Sequence, residues 1–195
     1  FYSHIGISPI SIVRALWANI QAGKTVQGGS TLTQQLAKNL FLSSERSLLR
    51  KINEALMSLL LEIRFQKSSI LTAYVNEVFL LQQNNIEVHG FALASQMLFK
   101  QPLKQLSKDQ LALLVGMVKG PSSYNPMKHP KKALKRRNQV LQVMHNEKLL
   151  TPSELSALKQ KSIKVSARLP SVNPYPAYLD LVKKQLSSNY SADDL

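Results

Sequence analysis

The sequence contains no cysteine, which excludes disulfide bonds and thiolate metal sites but leaves the cellular compartment open. No apolar run approaches the roughly 20 residues that a helix needs to cross a bilayer, and no signal peptide is visible. The chain begins at Phe1 rather than at a methionine. We therefore expect a fragment of a longer protein, with any membrane anchor outside these 195 residues.

Acidic residues are scarce, since 11 Asp and Glu stand against 25 Lys and Arg. The resulting net charge of +14 and isoelectric point of about 10.1 favour an anionic partner. Nucleic acid, an acidic membrane surface and a phosphorylated substrate all meet that condition. A chain of 195 residues is long enough for one sizeable domain with its own core, and two full domains are not expected.

Strand-like alternation of apolar and polar residues is almost absent, whereas helical spacing of apolar residues recurs along the chain. The predicted fold class is therefore all-α. Ser107 with Gln110 and Thr151 with Glu154 are typical of capped helix starts, and residues 120–126 are predicted to form a loop. The predicted helices span residues 10–21, 31–41, 48–65, 70–81, 92–98, 108–119, 130–147 and 152–161.

Patterns that mark several common active sites are missing from the sequence. The four histidines lack the spacing of metal ligands, and neither a Ser/His/Asp order nor a nucleotide-binding glycine fingerprint is present. No metal site is therefore predicted from these side chains.

The polar segment 27–39 is the most informative feature, because glycines followed by hydroxyls, amides and a lysine suit a polar ligand better than a core. The glycine pair at 28–29 is expected to adopt positive φ and to let the backbone approach that ligand. Ser30 or Thr31 is expected to cap the following helix, whose start attracts anions. The side chains expected to converge on one phosphate-bearing ligand follow at helical spacing: Gln35, Lys38 and Asn39.

The apolar run 48–65 is predicted to be a buried central helix, yet it contains Glu54 and Glu62 on roughly the same side. Arg50 and Lys51 lie within helical reach of Glu54. Such a pair would hold the acid ionised and aim the guanidinium at an anion. A structural ion pair at a helix start is the alternative, and the residue types alone leave both open.

Three further features have a structural explanation unless a ligand is present. Tyr74 and Asn76 fit a core tyrosine and a polar helix face within residues 70–81. Lys119 follows an apolar helix, where a lysine meets the negative end of the helix dipole. The basic run 128–137 is either an anion-binding surface or, as is more frequent, a solvated helix face.

These segments resemble, in order, the five motifs of the family 51 glycosyltransferases. The family comprises the peptidoglycan polymerases of class A penicillin-binding proteins and the monofunctional transglycosylases. The resemblance covers nearly the whole chain, and five motifs in one order are far more specific than one. Residues 25–29 and 39–47 are most similar to the bifunctional proteins of Gram-negative envelopes. The matching motifs are residues 1–6, 28–39, 50–54 with Glu62, 70–77 and 114–126.

The resemblance implies a helical fold with a lysozyme-like larger lobe and a smaller, hydrophobic, membrane-associated jaw lobe. The segment from Ile5 to Ala22 is apolar but too short to span, so it is the expected jaw on the anionic inner-membrane surface. An ordinary packed helix is the alternative. The glycosyltransferase domain is expected over residues 1–170, with residues 171–195 as a linker towards an absent transpeptidase module. The parent protein is expected at the periplasmic face of a bacterial inner membrane.

The activity that the resemblance implies is polymerisation of lipid II into β-1,4 glycan strands, with inversion of the donor and release of undecaprenyl pyrophosphate. This chemistry needs a carboxylate for the acceptor proton, cations for the leaving pyrophosphate, and a groove that holds the chain in line. The resemblance also allows a divalent cation, Mg²⁺ or Mn²⁺, at the pyrophosphate. It implies that moenomycin inhibits the protein.

The resemblance also assigns roles to individual residues. Glu54 is the second acidic residue and helps to position the pyrophosphate region. The candidate cations are Lys38, Arg50, Lys51 and Lys119. The neutral or structural substrate contacts are Ser30, Thr31, Gln35, Asn39, Tyr74, Asn76, Ser122 and His4.

One departure from the family pattern concerns its principal base, a glutamate three residues before the phenylalanine that matches Phe1. This glutamate is not in the sequence, so the 195-residue chain is expected to be inactive or severely impaired.

Two rival functions remain open: a lytic muramidase-like domain and a basic helical nucleic-acid-binding domain. Nucleic acid is disfavoured because no recognised binding motif is present and aromatic residues do not interleave with the basic run. A hydrolase needs an acid beside a water site, whereas this sequence offers cations.

Overall fold

Helices form most of the described chain, which comprises residues 1–2, 4–42, 47–83 and 86–166 of a computed structural model. These residues form eight α-helices and one antiparallel hairpin. The predicted linker 171–195 and the end of the predicted domain lie outside them. In chain order the elements are α1 (Pro9–Ala22), α2 (Leu32–Phe41), α3 (Leu48–Arg64), α4 (Lys67–Glu77), β1 (Phe79–Gln83), β2 (Ile86–His89), α5 (Phe91–Phe99), α6 (Lys108–Val118), α7 (Pro130–Asn146) and α8 (Pro152–Gln160).

The predicted helices are confirmed, and seven of the eight begin and end within one residue of their predicted bounds. The predicted caps explain this agreement. The N–H of Thr151 donates to Glu154 Oε2 at 2.8 Å, and the N–H of Glu154 donates back to Thr151 Oγ1 at 3.2 Å. The N–H of Ser107 donates to Gln110 Oε1 at 2.9 Å. These bonds satisfy helix-start amides that have no partner within the helix.

The predicted helix 70–81 is wrong at its C-terminal end. Helix α4 ends at Glu77, and the residues that follow form β1, which pairs with β2 in antiparallel register. The β2 segment Ile86–His89 alternates in burial, with Val88 fully buried. Four residues are too few for this alternation to outweigh the helical spacing before them, and pairing between the two strands decides the structure.

The main core lies between α2, α4, the hairpin, α5 and α6, where Leu36, Leu80, Leu98 and Leu114 are almost completely buried. A smaller apolar cluster joins α6, α7 and α8. Helix α3 packs on α2 and α4, whereas α7 packs on α6 and α8. Helices α3 and α7 therefore lie on different sides of the core.

Helix α3 is not the buried central helix that its composition predicts. Only Glu54 and Ser58 are buried along it, whereas Ile63 is 80% exposed. An apolar side chain favours any apolar surrounding, and this need not be the core of the same protein. The apolar composition of α3 therefore could not show that the helix is buried. The exposed apolar side chains of α3 are Leu48, Leu49, Ile52, Leu56, Leu60 and Ile63.

Helix α1 also exposes apolar side chains. Ile10 is 80% exposed and Trp17 is 65% exposed, and Ala15 is the buried residue of this helix. No helix formed by the described residues is long and apolar enough to cross a membrane. The apolar side chains of α1 therefore face outward from a helix that the described core does not enclose.

Candidate active site

A cleft of about 730 Å³ lies between the start of α2, the middle of α4 and the end of α6. Five side chains singled out from the sequence line it, and they come from three separate parts of the chain. The rest of the wall is formed by Val26, Gln27, Gly28, Leu32 and Val118. The five predicted residues are Ser30, Gln35, Lys38, Tyr74 and Lys119.

Thr31 fixes the start of α2 instead of lining the cleft. Its Oγ1 accepts the N–H of Gln34 at 3.2 Å, while its own N–H donates to Gln34 Oε1 at 2.9 Å. The Thr31 hydroxyl also donates to the carbonyl oxygen of Gly6. Thr31 is therefore buried as a helix cap that joins α2 to the first residues of the chain.

The glycine pair does not adopt the predicted positive φ. A Cβ on Gly29 would lie 2.9 Å from the Cα of Ile12, so this glycine permits close contact with α1 and not with a ligand. A Cβ on Gly28 would meet no atom within 4 Å, and Gly28 lines the cleft. The sequence could not distinguish the two positions, because a glycine favours close approach of any group.

Tyr74 and Gln35 form a hydrogen-bonded pair in the wall of the cleft. The Tyr74 hydroxyl donates to Gln35 Oε1 at 3.1 Å. Burial raises the pKa of Tyr74 to about 12, so the phenol stays neutral at physiological pH. The bond occupies the carbonyl oxygen of Gln35 and leaves its NH₂ group as a donor for a ligand.

Glu54 and Lys51 form an ion pair at the edge of the cleft. Glu54 is 2% exposed, and its carboxylate contacts the ammonium group of Lys51, which is half-exposed. The same ammonium group donates to Ser30 Oγ at 2.7 Å, and Ser30 lines the cleft. Lys51 therefore connects a buried carboxylate to the cleft and directs positive charge towards it.

Arg50 does not form the predicted pair with Glu54. Its Nε is buried and has no hydrogen-bond partner within the described part of the chain. Asn39, Asn76 and Ser122 are exposed and do not line the cleft. The backbone at Asn76 is closely packed, because a Cβ on Gly90 would lie 2.4 Å from the Asn76 carbonyl oxygen.

A polar cluster around Lys67 was missed in the sequence. The Lys67 ammonium donates to the His4 carbonyl oxygen at 2.5 Å and to Glu62 at 2.7 Å, and it lies 4.6 Å from the centre of the Phe1 ring. Thr33 Oγ1 donates to Glu62 Oε1 at 2.6 Å. The partners come from three helices and the first residues, so no spacing pattern could identify them. The sequence did single out Glu62, as a carboxylate on the same side of α3 as Glu54, but not its partner Lys67.

His4 belongs to this cluster and not to the cleft wall. Its Nδ1 accepts the N–H of Gly6 at 3.2 Å. Burial, together with the nearby Lys67 charge, lowers the pKa of His4. The imidazole is therefore neutral at pH 7 and acts as an acceptor that shapes the turn before α1.

The profile of the family described as Transglycosylase matches residues 1–145. Penicillin-binding protein 1B of Haemophilus influenzae is 52% identical over 186 residues, which cover 95% of this chain and 24% of that protein. Penicillin-binding protein 1B of Escherichia coli K12 is 50% identical over 188 residues, covering 96% of this chain and 22% of that protein. The chain spans about a quarter of the length of these relatives.

A crystal structure of penicillin-binding protein 1A from Haemophilus influenzae superposes with a TM-score of 0.45 at 22% sequence identity. The superposition covers 84% of this chain and 20% of that one, and it is too partial to place side chains. The assignment therefore rests on the sequence matches, which run through the residues of the cleft. The chain belongs to the transglycosylase family.

Proposed function

We propose that this chain is the peptidoglycan glycosyltransferase module of a bacterial cell-wall synthase. It would polymerise lipid II into β-1,4 glycan strands and release undecaprenyl pyrophosphate. The observation that carries the proposal is the cleft, in which Lys38 and Lys119 come from different helices and Lys51 stands at the edge. Three cations around a polar cavity suit a ligand with two phosphates.

The lysines of the cleft would stabilise the leaving pyrophosphate. Negative charge develops on that group as the bond to the anomeric carbon breaks, and fixed cations lower the free energy of this state without reorganisation. Lys38 lies in the last turn of α2 and Lys119 follows α6, so the backbone of two helices holds them in place. Removal of one such group from an active site costs about 2.7 to 4 kcal/mol of transition-state free energy.

Glu54 would act through Lys51 and not as the base that takes the acceptor proton. Its carboxylate contacts the Lys51 ammonium and is nearly inaccessible to solvent. This supports the family's assignment of Glu54 as the second acidic residue, with proton transfer left to the glutamate of the first motif. Without the Glu54 carboxylate, the Lys51 ammonium group would no longer be held in place beside Ser30.

The side chains of the cleft do not fit a protein-bound divalent cation. Its charged groups are ammonium ions, and the described residues contain no group of three His, Cys, Asp or Glu that could hold a metal. The protein's own contribution to neutralising the phosphates is made by lysines.

The outward apolar side chains of α1 support a jaw lobe that contacts the membrane beside a larger, lysozyme-like lobe. A lipid-linked substrate stays in the bilayer, so an enzyme acting on its head group must lie on the surface. Ile10 and Trp17 would enter the interface of the anionic inner membrane on its periplasmic face. In the parent protein, a transpeptidase module would follow the chain.

Binding of moenomycin, a phosphoglycolipid inhibitor, tests the proposal without requiring turnover. The 195-residue chain should bind it, and Lys38→Ala and Lys119→Ala should each weaken binding at least about tenfold, because each removes a charge-assisted contact. Lys131→Ala, which removes a lysine of α7 outside the cleft, should bind as the unaltered chain does. Absent moenomycin binding, together with tight binding of duplex DNA at about 150 mM salt, would favour the nucleic-acid function.

A further inference from the structure

The basic run 128–137 contributes to a second hollow, separate from the cleft. It has a volume of about 450 Å³ and lies between the 120–126 turn and α7. Three of its six lining side chains are cations, and none is acidic. The lining residues are Ser123, Tyr124, Lys132, Lys135, Arg136 and Gln139.

The cations of this hollow are not neutralised within the described residues. None of the ion pairs found there includes Lys132, Lys135 or Arg136. Arg136 is held in place, because its guanidinium lies 5.9 Å from the centre of the Tyr124 ring and donates to Gln139 Oε1 at 3.2 Å. The hollow therefore combines one oriented guanidinium with two free ammonium groups.

The hollow is joined to the cleft by a single tight turn. Lys119 lines the cleft and Tyr124 lines the hollow, and the N–H of Tyr124 donates to the Gly120 carbonyl oxygen at 2.9 Å. A Cβ on Gly120 would lie 3.4 Å from the Tyr124 ring, so the ring packs against the start of the turn. The cleft and the hollow are therefore lined by neighbouring parts of the chain, on either side of this turn.

The position of α7 argues against a lipid ligand for this hollow. Helix α7 packs on α6 and α8 and exposes one large apolar side chain, Val143, whereas α1 and α3 expose six each. A membrane against those apolar side chains would leave the hollow on the aqueous side. A ligand of these cations would then be an anion that reaches the hollow from the aqueous side.

We propose that the hollow binds the carboxylates of the short peptides that peptidoglycan carries, as the glycan strand leaves the cleft. The inference rests on the proposed function, which supplies a polymer with acidic peptide substituents. Arg136 would bind one carboxylate through its planar donors, while Lys132 and Lys135 attract the others. The site would favour long strands over single units, because each added peptide raises the local concentration of carboxylates.

Amide shifts of the isotope-labelled 195-residue chain test this site directly. One probe is a soluble disaccharide bearing a peptide with free carboxylates, and the other is the same molecule with every carboxylate amidated. The free acid should shift amides at Tyr124, Lys132, Lys135 and Arg136 and should bind about fivefold more tightly than the amide. Added salt should reduce that difference.

Two variants separate this site from a general effect of charge. The double variant Lys132→Gln with Lys135→Gln should lose most of the preference for the free acid and keep only the part that Arg136 supplies. Lys131→Gln changes the same kind of charge on the same helix but lies outside the hollow, so it should keep the difference. Equal binding of both probes by the unaltered chain, or an unchanged preference in the double variant, would overturn the proposal.

Binding of moenomycin and of duplex DNA, measured on the same sample, shows whether the peptide site alone or the proposed function as well is wrong. If moenomycin binds in the cleft while the peptide probes do not distinguish acid from amide, only the peptide site is overturned. If moenomycin also fails to bind, the proposed function fails with it. Tighter binding of duplex DNA than of the acidic peptide at the hollow would replace the peptide with nucleic acid as its ligand.

Discussion

Lys67→Met should destabilise the protein strongly, because it removes the cation that compensates a buried carboxylate. The Glu62 side chain is 7% exposed and that of Lys67 is 22% exposed. Breaking a fully buried pair costs about 3 to 5 kcal/mol, and the partial exposure of Lys67 reduces the expected loss to about 2 to 3 kcal/mol. Glu62 would keep only the hydroxyl of Thr33, and the His4 carbonyl oxygen would lose its donor.

A double-mutant cycle measured by urea unfolding separates this cost from lost packing. Glu62→Gln combined with Lys67→Met should recover about 1 to 2 kcal/mol relative to the sum of the single changes, since no charge is then left unpaired. Lys108→Met is the matched control, because it breaks the exposed pair with Glu154 and should leave the unfolding midpoint nearly unchanged. A loss below about 0.5 kcal/mol for Lys67→Met, or additive single changes, would refute the reasoning.

Three other predictions concern the cleft and α1. Tyr74→Phe should lower the free energy of unfolding by about 1 kcal/mol, because it removes the hydrogen bond to Gln35. In the unaltered chain the Tyr74 phenol should titrate near pH 12, and titration near pH 10 would contradict its burial. Gly29→Ala should lose about 1 to 3 kcal/mol from its contact with Ile12, whereas Gly28→Ala should not lower stability, and equal losses would contradict the packing described. Trp17 is the single tryptophan, so its fluorescence should shift to the blue with anionic vesicles, and the absence of a shift would count against membrane contact.

Helix boundaries were predictable because local signals coincided with the tertiary structure. Thr151 and Ser107 carry capping residues three positions ahead, and both helices start where these pairs predict. The end of α4 was not predictable, since Phe79 continues the helical spacing and the competing signal lies in a strand that follows a turn. Pairing between distant residues decides such cases.

The residue types of the candidate site were predictable from the sequence. Which of these residues line the cleft and which hold the fold together was not. Gln35, Lys38 and Lys119 lie in one cleft, and all three belong to the family motifs found in the sequence. Thr31 and Gly29 belong to the same motif, yet they hold α2 and α1 in place. Lys67 carries no motif at all, because its role depends on three helices that meet only in the folded chain.

Helix α3 has consequences for redesign of this protein. Its buried side chains are Glu54 and Ser58, while four of its leucines are exposed: Leu48, Leu49, Leu56 and Leu60. A hydropathy-guided effort to improve solubility would ordinarily preserve those leucines as core and exchange the acid. In this helix the reverse choice keeps the architecture intact, since polar replacements at Leu49 or Ile63 would touch no packed interior.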